Sequence, residues 1–201
     1  MSPPANLAPG VTLAQVCDTK DPKGMGRIKV SFNVAGQSLE SDWVPVMSLF
    51  AGPDTGAFFL PAVGDSALVA FGDGDPNQPY VLGFLWNGKL NPPVEQTKQQ
   101  DVRVIRTKKG KMLTFNDSDS GQLTLSDEKG NTIRIDTAGN SIAVDSQGDV
   151  TITAKGKVTI KGASVHLTNT GGSVTADLNA AQMQMNGAQS IRLKAAMIDL
   201  N

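Results

Sequence analysis

Beyond residue 93 this chain contains no proline, and beyond residue 86 its one aromatic side chain is Phe115. All eleven prolines, both tryptophans, the single tyrosine and six of the seven phenylalanines lie before residue 100. Aromatics dominate compact cores because each buries a large area. The second half is therefore not expected to be a globular core; a thin rod has no room for such side chains. One cysteine, Cys17, excludes an intramolecular disulfide. One histidine, His166, excludes any site that needs several histidines from one chain. A net charge of −1 gives no bulk attraction to nucleic acid or an anionic membrane. No apolar run reaches the roughly 18 residues of a membrane-spanning helix. The first residues, Met1 to Asn6, offer neither a basic nor an apolar leader segment. Synthesis in the cytoplasm without a cleaved signal is the expectation, with any exit from the cell by another route.

What the second half does contain is a repeat. An apolar-x-apolar pair returns every seven to ten residues: Leu113/Phe115, Leu123/Leu125, Ile133/Ile135, Ile142/Val144, Val150/Ile152, Val158/Ile160, Val165/Leu167, Val174/Ala176, Met183/Met185, Ile191/Leu193 and Ile198/Leu200. Glycines such as Gly110, Gly121, Gly130, Gly139 and Gly148 punctuate it. Each pair reads as a short strand with two side chains on one face. Polar segments such as Asp145–Asp149 separate them. One chain of this kind forms a narrow ribbon with one apolar face, which must be buried against something. Three chains around an axis would bury it as a triangular prism, so trimerisation is expected to be obligate. The expected trimer core is Val150, Ile152, Val158, Ile160, Val165, Leu167, Val174, Met183, Met185, Ile191 and Leu193. The wider early spacing predicts a looser antiparallel meander over residues 111–144, with a tighter intertwined helix from about Val150.

The first half reads as short strands between turn signals. Val11–Val16 alternates, and Gly26–Phe32 places Ile28, Val30 and Phe32 on one face. Trp43–Val46, Ala67–Phe71 and Tyr80–Leu85 follow, with turns at Asp21-Pro22, Gly52-Pro53, Gly64-Asp65 and Gly72–Pro76. About five such strands suggest a small Greek-key barrel of the OB type. The organisation expected is all-β: a barrel over 1–95, a linker over 96–105 and a trimeric β-helix or β-prism needle over 106–201.

The segments Gly26-Arg-Ile-Lys-Val-Ser-Phe32, Trp43-Val-Pro-Val-Met47, Phe59-Leu-Pro-Ala-Val-Gly-Asp65, Val69-Ala-Phe71, Gly74-Asp-Pro76, Pro79-Tyr-Val-Leu-Gly83 and Asn87-Gly-Lys89 occur in an order and spacing that resembles the OB domain of the central spike proteins of contractile injection systems. That family includes phage baseplate spikes and the VgrG spikes of type VI secretion. The repeat is similar to the family's spike β-helix. The resemblance implies a non-enzymatic homotrimer attached to a baseplate hub at the barrel end, crossing a target membrane transiently when a sheath contracts. It implies no cofactor and no nucleic acid. It also implies a PAAR-type tip protein on a blunt C-terminal end formed by Met197, Ile198, Leu200 and Asn201. These 201 residues are too few for the hub domains that precede the barrel in VgrG proteins, and no lysozyme domain stands between barrel and repeat, so either a separate hub protein or a longer chain is expected.

Other signals read as structural. Asp73-Gly-Asp75-Pro-Asn77 begins like a calcium loop, but Gln78 and Phe84 stand where glycine and a bidentate glutamate are needed, so a turn is expected. His166 lies between Val165 and Leu167 and should point outward. Cys17 follows Val16 and reads as a small buried hydrophobe. Asp117/Asp119 and Asp127/Glu128 are turn acids without the aromatic-lined cleft of a glycosidase. Lys108, Lys109, Lys111, Arg103 and Arg106 form a basic cluster, expected to contact the neighbouring hub or a neighbouring protomer. The barrel half carries six lysines and arginines against nine acids over residues 1–100, which argues against a nucleic-acid groove. A glycan-binding fibre would need more exposed aromatics than Phe115, and a single-chain solenoid enzyme would need longer rungs, about 20 residues or more.

Overall fold

A computed structural model describes residues 10–34 and 37–163. The first part of the chain forms β1 (Val11–Asp18), β2 (Lys29–Val34), β3 (Gln37–Glu40), the two-residue strands β4 (Ala51–Gly52) and β5 (Thr55–Gly56), β6 (Ser66–Phe71) and β7 (Pro79–Leu85). Five of them make one antiparallel sheet in the order β3-β2-β1-β6-β7. The expected strand at Trp43–Val46 appears only as isolated bridges, Ile28 with Val44 and Val46 with Val81. Pro45 is the cause: it has no N–H for a ladder, though its carbonyl accepts Val81 N–H at 3.0 Å. Those bridges still close the sheet on itself, since Val44 and Ile28 exchange two hydrogen bonds and Met47 N–H donates to the Val81 carbonyl. The core lies inside this closure. Val16, Ile28, Val30, Val44, Val69 and Val81 are fully buried, and Phe32, Val46 and Phe71 pack against them. The alternation read from Ile28, Val30 and Phe32 is thus the inward face of β2.

Cys17 is half-buried rather than buried. It sits where the β1–β2 register slips between Val16 and Asp18, so it is the extra residue of a bulge and not an inward position of the alternating strand. Burial and the nearby Glu40 carboxylate push its thiol pKa up. It is not an activated nucleophile.

Asp21 organises the β1–β2 connection. Its carboxylate accepts the backbone N–H groups of Lys23, Met25 and Arg27 and a two-pronged bond from the Arg27 guanidinium at 2.7 and 2.9 Å. Only 2% of the Asp21 side chain is exposed. The Arg27 bond, with the backbone donors, holds its carboxyl well below the usual carboxylate range. A depressed folded pKa stabilises the fold fully above the ordinary value of about 4, and that stability is lost as pH falls through the folded value. Asp21→Asn should therefore lower the barrel melting temperature at pH 7 and flatten its decline between about pH 5 and 2. Parallel melting profiles for the two proteins across that range would refute this role.

The second sheet is an antiparallel meander: β8 (Val102–Arg106), β9 (Met112–Asn116), β10 (Gln122–Ser126), β11 (Thr132–Asp136) and β12 (Ser141–Asp145), each paired with its neighbour in sequence. The meander over 111–144 is present as expected, with strands of five residues rather than three, because the residues flanking each apolar pair, nearly all of them polar, join the ladder. The first strand, β8, takes in Val102–Ile105 of the expected linker. Its turns alternate between two edges. On one edge the 107–111 and 127–131 turns have Gly110 and Gly130 at φ 93° and 90°, backbone that an L side chain enters at a cost of about 1–2 kcal/mol. Gly110→Ala and Gly130→Ala should each destabilise the meander by about 1 kcal/mol, read as a shift in its denaturation midpoint; Gly121→Ala, with an ordinary φ, serves as the comparison. In the 137–140 turn Asn140 takes the left-handed position at φ 46°.

The chain divides into two compact units, 1–149 and 150–201. Residues 150–163 of the second unit carry no strand pairing.

Candidate assembly surfaces

The register of the meander sorts its side chains into two faces. Arg103, Phe115, Leu123, Ile135 and Ile142 stand opposite one another across the five strands, and Ile105, Leu113, Leu125, Ile133 and Val144 form a second row beside them. Apart from Arg103 this face is wholly apolar. The opposite face carries residues such as Asn116, Gln122, Asp136, Thr124, Arg134 and Asp145. The apolar face is bare in a single chain: Leu125 is 52% exposed, Val144 61% and Ile142 73%. A contiguous apolar surface of this extent marks an interaction site. The repeat in the sequence supplied these residues; the second, polar face was legible only once the strands had five residues.

Along the edges the turns stack. A Cβ on Gly110 would meet Glu128 at 3.5 Å and one on Gly130 would meet Gln147 at 3.6 Å, while on the other edge one on Gly121 would meet Thr137 at 3.5 Å. Ion pairs run between neighbouring strands and turns, Lys111 with Glu128 at 3.0 Å and Arg103 with Asp117 at 3.2 Å. Two members of the basic cluster are thus engaged within the chain. Asp127 accepts N–H groups of Lys129 and Asn131 and the Asn131 amide at 2.7–2.9 Å. The bond from Asn131 lowers its pKa, so it is the keystone of a turn and not a proton donor.

A second exposed apolar surface lies on the barrel. The β4–β5 hairpin and the segments around it line a groove of about 650 Å³, with Met25, Met47, Phe50, Phe58 and Phe59 along it. These side chains are 61–72% exposed. Phe58 lies against the backbone of Gly26, where a Cβ would come within 2.8 Å of its ring. The sequence showed aromatics here and assigned them no surface, because Gly52–Thr55 gives only a turn signal and not the hairpin that displays them.

Of the expected trimer-core residues, Val150, Ile152, Val158 and Ile160 are exposed, by 63, 73, 52 and 69%. Val165, Leu167, Val174, Met183, Met185, Ile191 and Leu193 lie outside the described residues, as do His166 and the expected tip surface of Met197, Ile198, Leu200 and Asn201. The Gly72–Gln78 segment is a tight turn. Gly72 N–H donates to the Gln78 carbonyl, and the Asp75 carboxylate accepts the N–H and side-chain amide of Asn77. Among the described residues there is no group of three metal-ligating side chains, and no helix is long and apolar enough to cross a membrane.

The described residues thus form a closed barrel bearing an exposed groove, and a meander that is apolar on one face. Residues 12–86, the barrel, match the family described as the type VI secretion system/phage-baseplate injector OB domain. The chain is similar to VgrG-type spike proteins. It is 28% identical to the type VI secretion system spike protein VgrG1a of Pseudomonas aeruginosa over 141 residues, 63% of this chain and 21% of that protein. It is 36% identical to VgrG5 of the same organism over 86 residues, 41% of this chain and 11% of that one. Similarity extends to the actin cross-linking toxin VgrG1 of Vibrio cholerae, 29% identical over 109 residues, 52% of this chain and 10% of that protein. The chain thus spans about a fifth or less of the length of the curated relatives it matches.

Proposed function

We propose that the protein is a structural component of the central spike of a contractile injection apparatus, working as a homotrimer and not as an enzyme. The observation that carries this reading is the bare apolar face of the meander. Five residues per strand at about 3.4 Å give a sheet about 17 Å wide. Three such sheets as the sides of a triangular prism lie about 5 Å from the axis, half the roughly 10 Å at which sheet faces pack. Two sheets would leave their edges open, and four would leave a void of the kind protein interiors avoid. Three copies fill the space.

In this reading the apolar pairs after Asp149 are the core of a trimeric needle, and the needle enters the target envelope. The barrel groove along Phe50, Phe58 and Phe59 takes the baseplate hub. Its mix of exposed methionine and phenylalanine side chains with polar groups such as Ser48, Asp54 and Thr55 suits a protein surface. A trimer whose strands are all hydrogen-bonded has few routes of local opening, which suits a part that must resist force. Light scattering coupled to size exclusion is expected to give three times the chain mass across a wide dilution range. A folded, soluble monomer would overturn the reading.

A further inference from the structure

The two edges of the meander carry opposite charge at the end nearest β8. On one edge the 107–111 turn presents Lys108, Lys109 and Lys111. On the other, Asp101 precedes β8 and the 117–121 turn presents Asp117 and Asp119. Lys111 and Asp117 are paired within the chain. Lys108, Lys109, Asp101 and Asp119 have no ion-pair partner among the described residues. Nor can they pair with one another in one chain. The two edges are about 17 Å apart, twice the roughly 8 Å over which exposed charges interact at physiological salt.

A ring of three identical sheets brings the left edge of each copy against the right edge of the next, a head-to-tail contact that closes. The 107–111 and 117–121 turns differ in height by one strand, about 5 Å, which is within reach of a lysine side chain. We propose that Lys108 and Lys109 of one chain meet Asp101 and Asp119 of a second copy, and that this pairing fixes which edges join when three chains assemble. The inference rests on the trimeric reading above. Its role is selection more than adhesion: like edges placed together would set lysines against lysines and acids against acids, so the wrong arrangement is disfavoured before the apolar faces lock. The same contact would cover the open corners between sheets, where the turn backbones of neighbouring copies come closest.

The test is cross-linking in the full chain with Cys17→Ala as background. Lys109→Cys and Asp119→Cys are introduced together and singly, treated with a short bismaleimide, and resolved on a denaturing gel. Mass is measured in parallel before treatment. The two-cysteine variant is expected to give covalent trimers, and each one-cysteine variant only single chains. Covalent dimers from either one-cysteine variant would mean that like edges meet, which overturns the proposal. A particle that measures as a trimer yet gives no cross-links overturns the edge pairing and leaves the trimeric reading standing. A monomeric mass overturns the trimeric reading and the pairing with it.

Discussion

Leu125→Asp should abolish the proposed trimer. Leu125 sits on β10, the central strand of the meander, in the middle of the apolar row between Leu113 and Ile133. Its 52% exposure in a single chain would make this a mild surface change if the chain worked alone. In the prism it puts three carboxylates on the axis without a partner. Each buried ion costs several kcal/mol, and the three repel one another. Light scattering should show monomers or aggregates and no species of three chains. Thr124→Asp is the control. It faces the other side of the sheet and stands opposite Arg134, so its mass should stay trimeric. A Leu125→Asp protein that assembles like the parent would sink the prism.

Ile28→Ala should have the largest effect on the barrel. Ile28 is 0% exposed and bridges to Val44 where the sheet closes. Truncating a buried isoleucine costs about 3 kcal/mol, the transfer term plus the cavity left behind. For a domain of this size that is a loss of about 15 °C in melting temperature. Both tryptophans lie in the barrel half, so their fluorescence reports its melting separately from the meander's. The transition should move by that amount while the mass below it is unchanged. A shift of only a few degrees would mean that the closure at Ile28 does not hold the barrel.

These two substitutions also mark what the sequence made legible. Ile28, Val30 and Phe32 alternate in a run with polar partners, so the buried face could be read directly. The pairs from Leu113/Phe115 to Ile142/Val144 could be read for the same reason. Strand β8 could not: Val102 and Val104 place apolar residues on one face while Ile105 places one on the other, so no period stands out. Trp43–Val46 has a strand's composition, but Pro45 cannot join a ladder. The hairpin of β4 and β5 has two residues per strand, too few for any pattern. Cys17 reads as interior because a free cysteine beside Val16 behaves as a small buried hydrophobe, whereas it is the extra residue of a bulge that only the pairing with β2 exposes. Of the candidate surfaces, the apolar face was visible as a repeat. The basic cluster was visible too, but not its acidic counterpart, because Lys109 and Asp119 lie close in sequence and only the meander sends them to opposite sides.

The pairing pattern has a kinetic meaning as well. Each strand of the meander bonds only to its neighbours in sequence, so its contacts close short loops. The barrel cannot finish until Val11 finds Ala70 and Gln15 finds Ser66, partners separated by most of the domain. Loop-closure entropy delays such long-range pairings, and chains rich in local contacts fold faster. The meander is thus expected to form first, while the barrel is still open, and three chains would begin to zip from it before their barrels close.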